Sequence, residues 1–175
     1  MSVLSTERLE IRALTTGDAA FIHALLNDPD WVRFIGPRDA ATVEAARAYI
    51  ERAYLPLYAT PGVGLWAVHR RGESEPLGVC SLLRRDTLDA PDLGFAFLPA
   101  GRGHGYAREV AAALLAHALG PLGHARVVAI CSPDNAASRR VLEDVGMRFD
   151  RPIRMSEAGE ELCLYASAPA GAASE

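Results

Sequence analysis

Only three cysteines occur in the 175 residues, at Cys80, Cys131 and Cys163, far apart and with neither a C-x-x-C pair nor a histidine at metal-ligand spacing. That pattern excludes a disulfide framework and a zinc site, and no metal is expected. Each thiol lies in an apolar stretch that reads as a strand, so each is expected to be a small buried hydrophobe in a reducing compartment. An excess of positive charge is also missing: 18 Lys and Arg against 22 Asp and Glu leave a net charge of −4 and a pI near 5.7. The overall basic footprint of a nucleic-acid binder is therefore absent, and any polyanion has to be held by a local site. Long apolar runs are lacking as well. Glu7, Arg8 and Glu10 stand where a signal peptide carries its apolar segment. The longest apolar run, 110–119, is broken by His117 and falls short of the roughly 20 residues of a membrane span. These absences predict a cytoplasmic protein with neither a membrane nor a nucleic-acid partner.

What is present is ordinary globular material, 50% hydrophobic and 23% charged. The length favours one domain over 1–168, and the aperiodic small and polar residues at 169–175 are expected to be a disordered tail. RLEIRAL, 8–14, alternates Leu9, Ile11 and Ala13 against Arg8, Glu10 and Arg12, the period of a half-buried strand. AAFIHALLN, 19–27, has helical spacing and is ended by Asn27, Asp28 and Pro29, and a second helix is expected over 42–54. Three strand-like segments, 64–71, 77–84 and 92–99, are separated by turn-rich stretches and read as an antiparallel meander. From Gly105 the period becomes helical, with Val110, Ala111, Leu114 and Ala118 on one face. A short strand at 125–132, a helix capped by Asp134 or Asn135 and stopped at Gly146, and strands at 147–155 and 161–167 complete the chain. This order predicts an α/β (α+β) fold, a mixed and mostly antiparallel sheet of about seven strands flanked by about four helices.

Two segments carry chemistry. Arg102, Gly103, His104, Gly105, Tyr106 and Ala107 form R-G-H-G-Y-A between a strand and an amphipathic helix. Glycines there let the backbone turn and approach a ligand closely, and the helix start presents unpaired N–H groups and the positive end of its dipole. Phosphate suits such a place, and Arg102, Arg108 and His104 add local positive charge. The dinucleotide pattern G-x-G-x-x-G fails, because its third glycine falls on Tyr106 or Arg108, and no P-loop Gly-Lys-Ser/Thr occurs. The second segment is N-A-A-S-R-R-V-L-E-D-V-G-M, 135–147, where Ser138 falls among Val141, Leu142 and Val145 on an apolar helix face. An unpartnered hydroxyl is costly there, so it either bonds back to its own helix turn or touches a ligand.

The strand DLGFAFLPA, the loop R-G-H-G-Y-A with Arg108 and Glu109 after it, and N-A-A-S-R-R-V-L-E-D-V-G-M together resemble the GNAT superfamily of acyl-CoA N-acyltransferases. TERLEIRAL and NDPDWVRFIG narrow the resemblance to the RimJ/RimL type, the ribosomal-protein N-terminal acetyltransferases, over roughly residues 5–166. The resemblance implies acetyl-CoA as donor and no metal. Its pyrophosphate is implied to rest on backbone N–H groups of Gly103, Gly105, Tyr106 and Ala107, with Arg102 and His104 in the same loop. The splayed strand, through Phe95, Ala96, Phe97 and Leu98, is implied to offer backbone groups to the pantetheine arm and the thioester carbonyl, while Phe95 and Phe97 themselves read as core. Asn135 and Ser138 match the family positions beside the cofactor.

A neutral amine attacks the thioester directly in this family, so positioning is expected to supply most of the rate. Many relatives place a tyrosine acid where this chain has Leu142. Ser138 is the expected substitute, donating to the sulfur, and Tyr165 is a weaker candidate. Asp92 is the expected base, acting through water, with Asp86, Asp89 or no residue as alternatives. Acceptor contacts are expected from Trp31 and Phe34, with Asp28 and Asp30 nearby and Tyr49 as a further aromatic. The resemblance implies a primary amine as acceptor, with a protein or peptide N-terminus as the first expectation. Small amines such as an aminoglycoside, polyamine or amino acid, and a non-catalytic acyl-CoA-binding module, stand as alternatives. A monomer or a homodimer is expected.

Overall fold

Alternating apolar residues and closely spaced turns build one open sheet. The computed structural model describes residues 2–169, so most of the expected tail, 170–175, lies outside the described residues. Eight strands run in the order β1-β2-β3-β4-β5-β6-β8-β7. They are β1 (Ser2–Ser5), β2 (Leu9–Ala13), β3 (Gly64–Arg70), β4 (Gly78–Leu83), β5 (Asp92–Phe97), β6 (Val128–Cys131), β7 (Arg148–Ile153) and β8 (Leu162–Ala166). Every neighbouring pair is antiparallel except β5 and β6. The expected mixed, mostly antiparallel sheet is therefore found, with one strand more than its elements suggested. That extra strand is β1, too short and exposed to leave a periodic signal.

Helices cover both faces. On one side lie α1 (Ala19–Leu26), α2 (Pro29–Phe34) and α3 (Val43–Tyr49), which pack Ile22, Leu25, Leu26, Trp31 and Ile50 against Leu65, Ala67 and Val79. On the other lie α4 (Tyr106–Leu119) and α5 (Ala136–Asp144), which pack Val110, Leu114, Ala118 and Leu142 against Ile11, Val68, Cys80, Leu82 and Leu93. Three boundaries differ from the sequence expectation. Asp28 and Pro29 do end α1, but they also start α2: Asp28 accepts from the Asp30 N–H and proline stands in the first turn, the two signals of a helix N-terminus. The helix expected over 42–54 is α-helical only to Tyr49. It continues as a π turn (Ile50–Tyr54) and then a 3-10 turn (Leu55–Ala59) whose Pro56 cannot donate to an α-helical ladder. Strand β6 is shorter than 125–132. No described helix is long and apolar enough to cross a membrane.

All 18 basic side chains are arginine; the sequence has no lysine. The Arg12 guanidinium donates to both Asp18 oxygens at 2.9 and 2.8 Å, and the Thr15 N–H adds a third bond at 2.9 Å. Burial alone raises the Asp18 carboxyl, but these donors outweigh it and hold the group below its ordinary value of 3.8. A depressed folded-state pKa means that the contribution is present above pH 3.8 and is lost as pH falls through the folded-state value. Asp18→Asn leaves Arg12 without its counter-charge. A loss of about 2 kcal/mol is expected, seen as a drop in Tm of about 4–8 °C at neutral pH. The gap from wild type should close in acid; a gap that stays constant down to the acid transition would refute the ion pair's role.

Candidate active site

The connection from β5 to α4 forms the centre of the site. Gly105 is the residue before α4, with φ +78°, and Gly103 shares that left-handed backbone at φ +77°. Side-chain-bearing residues disfavour this conformation, which explains glycine at both positions. No side chain caps α4. Among the described residues, the backbone N–H groups of 103–108 have no hydrogen-bond acceptor. A row of free donors at the positive end of a 14-residue helix is a ready anion cradle.

A brace from the other end of the chain holds this cradle. Glu109, in the first turn of α4, accepts from the Thr6 hydroxyl at 2.5 Å and from the Arg8 N–H at 2.9 Å. Its second oxygen takes Arg8 Nε at 2.7 Å, while Arg8 Nη1 donates to the His104 carbonyl at 2.9 Å. The Arg8 guanidinium also lies over the Tyr106 ring, 4.7 Å from its centroid, and Arg70 Nε donates to the Tyr106 hydroxyl at 3.0 Å. His104 is exposed, and its ring stacks on Tyr106 at 5.2 Å. Sequence reading treated Arg8 only as the polar side of a strand; its role depends on a contact 101 residues away.

Beside the cradle the sheet opens. Strands β5 and β6 pair only at Asp92 with Val128 and separate beyond it. The Leu98 N–H is given to Leu77, on the β4 side. Strand alternation therefore turns the N–H and C=O groups of Phe95 and Phe97 to the opposite edge, into the opening. Their side chains pack in the α4-side core, as expected, so the backbone is what these two residues offer. Ala96 and Leu98 pack toward α1–α3. A Cβ at Gly94 would stand 2.7 Å from the Ser81 hydroxyl oxygen, so a side chain there requires the Ser81 hydroxyl to turn away.

Asp92 sits at the fork. It is 4% exposed, so it is not a surface charge. Its carboxylate accepts from Arg85 Nε at 2.7 Å and from the Ile130 N–H. Burial raises its pKa, against the pull of Arg85 and of both hydrogen bonds, and the net direction is upward. That favours a proton acceptor working closer to neutral pH.

On α5, Asn135 accepts the Ser138 N–H at 3.2 Å and so caps the helix. The Ser138 side chain is half-buried, and its hydroxyl has no hydrogen-bond partner among the described residues. It does not bond back to its own turn. Leu142, at the tyrosine position, is buried in the core. Tyr165 is fully buried; its hydroxyl accepts from Arg139 at 3.1 Å and donates to Glu143 at 3.0 Å, which commits its proton. The structure thus places Asp92 at the closed start of the opening beside β5 and 102–107 beyond the far end of that strand, with the β5 edge between them.

The acceptor-side residues are on α2. Trp31 is 7% exposed, and its indole N–H is the one fully buried side-chain donor without a partner among the described residues. Phe34 is half-buried beneath the Arg33 guanidinium. Asp28 and Asp30, expected beside the acceptor aromatics, are both engaged by Arg102. The Arg102 guanidinium is thus occupied by protein groups, so what this residue has free for an anion is its place in the loop. Cys80 and Cys163 are buried and Cys131 half-buried, all three as free thiols. No cluster of metal-ligating side chains occurs among the described residues.

The profile of the acetyltransferase (GNAT) domain matches residues 8–148, from the bracing Arg8 through the loop and α5 to the first residue of β7. The chain belongs to the GNAT acetyltransferase family. It is 27% identical to the uncharacterized N-acetyltransferase YoaA of Bacillus subtilis, over 87% of this chain and 86% of that one. It is also similar to the GNAT-family acetyltransferase of Bacillus anthracis, with 26% identity, a TM-score of 0.76 and coverage of 93% and 96%. The ribosomal-protein-S5-alanine acetyltransferase of Vibrio fischeri shares the fold, with a TM-score of 0.78 at 18% identity over 98% of both chains. GNAT acetyltransferases use acetyl-CoA, and the free amides of 103–108 fit a diphosphate. This GNAT chain is accordingly an acyltransferase.

Proposed function

We propose that this enzyme transfers an acetyl group from acetyl-CoA to the α-amine of a peptide or protein N-terminus, in the manner of the RimJ/RimL type. The observation that carries the donor half is the uncapped start of α4, where residues 103–108 offer free N–H groups beside the open edge of β5. Acetyl-CoA supplies the activated acetyl group. The amides of Gly103, Gly105, Tyr106 and Ala107 hold the pyrophosphate, with Arg102 and His104 in the same loop. The Phe95 and Phe97 N–H groups face the pantetheine arm and the carbonyl, where fixed donors stabilise developing negative charge. Ala96 and Leu98 form the neighbouring wall, and Asn135 and Ser138 flank the arm from α5.

Asp92 takes the proton of the incoming ammonium through water, and the raised pKa of this buried carboxyl supports that role. The Ser138 hydroxyl, with no protein partner, donates to the leaving sulfur, whose thiol pKa near 8.5 needs little help. Trp31 and Phe34 line the acceptor side. The likeness in fold to an S5-alanine acetyltransferase supports an N-terminal acceptor, and the three free thiols support a cytoplasmic setting, as monomer or homodimer.

The test is acetyl-CoA-dependent thiol release across peptides with free Ser, Ala or Met N-termini, polyamines, aminoglycosides and amino acids. Turnover confined to the peptides supports the proposal. Turnover confined to small amines transfers the reading to that class, and silence with intact acetyl-CoA binding rejects both. Ser138→Ala is expected to lower kcat about tenfold, less than the usual general-acid contribution because a thiol leaves with little help, with acetyl-CoA affinity unchanged in a titration. An unchanged kcat removes Ser138 from the chemistry.

A further inference from the structure

Two nitrogens of one planar guanidinium tie the phosphate loop to the start of a helix 74 positions earlier in the chain, and the third ties it to the end of β5. Arg102, the first residue of the loop, gives Nε to the Phe97 carbonyl at 3.0 Å. That carbonyl closes β5 and faces the open edge. Nη2 meets Asp28 at 2.6 Å and Nη1 meets Asp30 at 3.1 Å. The Asp28 side chain is 7% exposed and also accepts the Asp30 N–H at 3.1 Å as the cap of α2. A single side chain therefore joins the end of the splayed strand, the start of the anion cradle and the N-terminus of the helix carrying Trp31 and Phe34.

We infer that Arg102 is a positioning residue that couples the two substrate sites: seating acetyl-CoA on the loop fixes α2, and with it the acceptor wall. The inference rests on the acetyl-CoA reading of the loop given above. Two physical features support the coupling. Asp28 is buried, so releasing Arg102 leaves a desolvated carboxylate without its counter-charge, which makes the clamp costly to open. The contact is also geometric. The planar fork transmits a change in the position of residue 102 to Asp28 through a hydrogen bond and to Asp30 through an ion pair, whereas the single flexible ammonium of lysine cannot hold both of these and the Phe97 carbonyl. One guanidinium between two carboxylates balances one of their two charges, so the cluster keeps a net charge of −1.

The experiment is hydrogen exchange on the full chain with and without acetyl-CoA, for wild type, Arg102→Lys and Arg102→Ala. In wild type, acetyl-CoA is expected to slow exchange at 103–108 and, severalfold, at 30–35. In Arg102→Lys, protection of the loop should remain while the acetyl-CoA-dependent slowing at 30–35 disappears. A purely structural role would instead speed exchange at 30–35 equally in both states. Arg102→Ala is read in the same way if its circular dichroism is native; Arg102→Lys decides if it is not. Protection confined to the loop in wild type, or equal slowing at 30–35 in Arg102→Lys, overturns the coupling. No protection anywhere in wild type overturns the acetyl-CoA reading of the loop and the coupling with it.

Discussion

Gly105→Glu is expected to weaken acetyl-CoA binding about 100-fold in a calorimetric titration, a loss of about 2.8 kcal/mol. Two causes add. The backbone at this position has φ +78°, which glycine adopts freely and a residue with a side chain adopts at a cost of roughly 1–2 kcal/mol. The new carboxylate would then stand at the positive end of α4, competing with the diphosphate for the same free amides. Arg8 lies close enough to hold it there, with Nη2 3.5 Å from the position of the new Cβ. Gly105→Ala separates the causes, since it carries the backbone strain without the charge and is expected to lose about tenfold or less. Affinity in Gly105→Glu equal to wild type would reject the loop as the phosphate site.

Asp92→Asn is expected to lower kcat/KM about 100-fold or more at neutral pH, the usual scale for a positioned general base. The substitution keeps the shape and an oxygen for the Ile130 N–H. Arg85 is 41% exposed at its side chain and can turn to water, so the fold should survive. The sign of the pH dependence follows from the direction of the shift. Burial raises the Asp92 carboxyl above 3.8, so wild-type kcat/KM should climb with pH through that raised value as the base ionises. The variant should lose this limb and keep only the rise that follows the free fraction of the acceptor amine up to that amine's own pKa. A variant that keeps the wild-type profile would show that another group takes the proton.

These two residues differ in how far the sequence alone could reach. The strain at Gly105 is local, and a glycine-rich turn before an amphipathic helix is visible from spacing. Asp92 stands in a stretch of charges and turns, and nothing nearby reveals that Arg85 and the edge of β6 close over it. The same limit applies to Arg102. Its place in the loop is local, but its partners Asp28 and Asp30 are set by how α2 lies against the end of β5, which residue patterns do not encode. Helix α2 itself was legible in principle, because Asp28 as cap and Pro29 behind it are start signals. They coincide with the end of α1, and a boundary that serves two helices reads as one. The π turn over 50–54 had no such signal; Ile50 and Tyr54 within it are buried in the core beneath the sheet.

The exclusive use of arginine has a chemical consequence. Guanidinium groups stay protonated and are not nucleophiles for a thioester at neutral pH, whereas a lysine amine is the side chain that acetyl-CoA modifies. With no lysine in 175 residues, the enzyme offers no side-chain amine to its own reagent. Acetyl label that appears in an amide during an assay of this chain therefore comes from the added acceptor or from the chain's own α-amine, with no background from acetylated lysine on the catalyst.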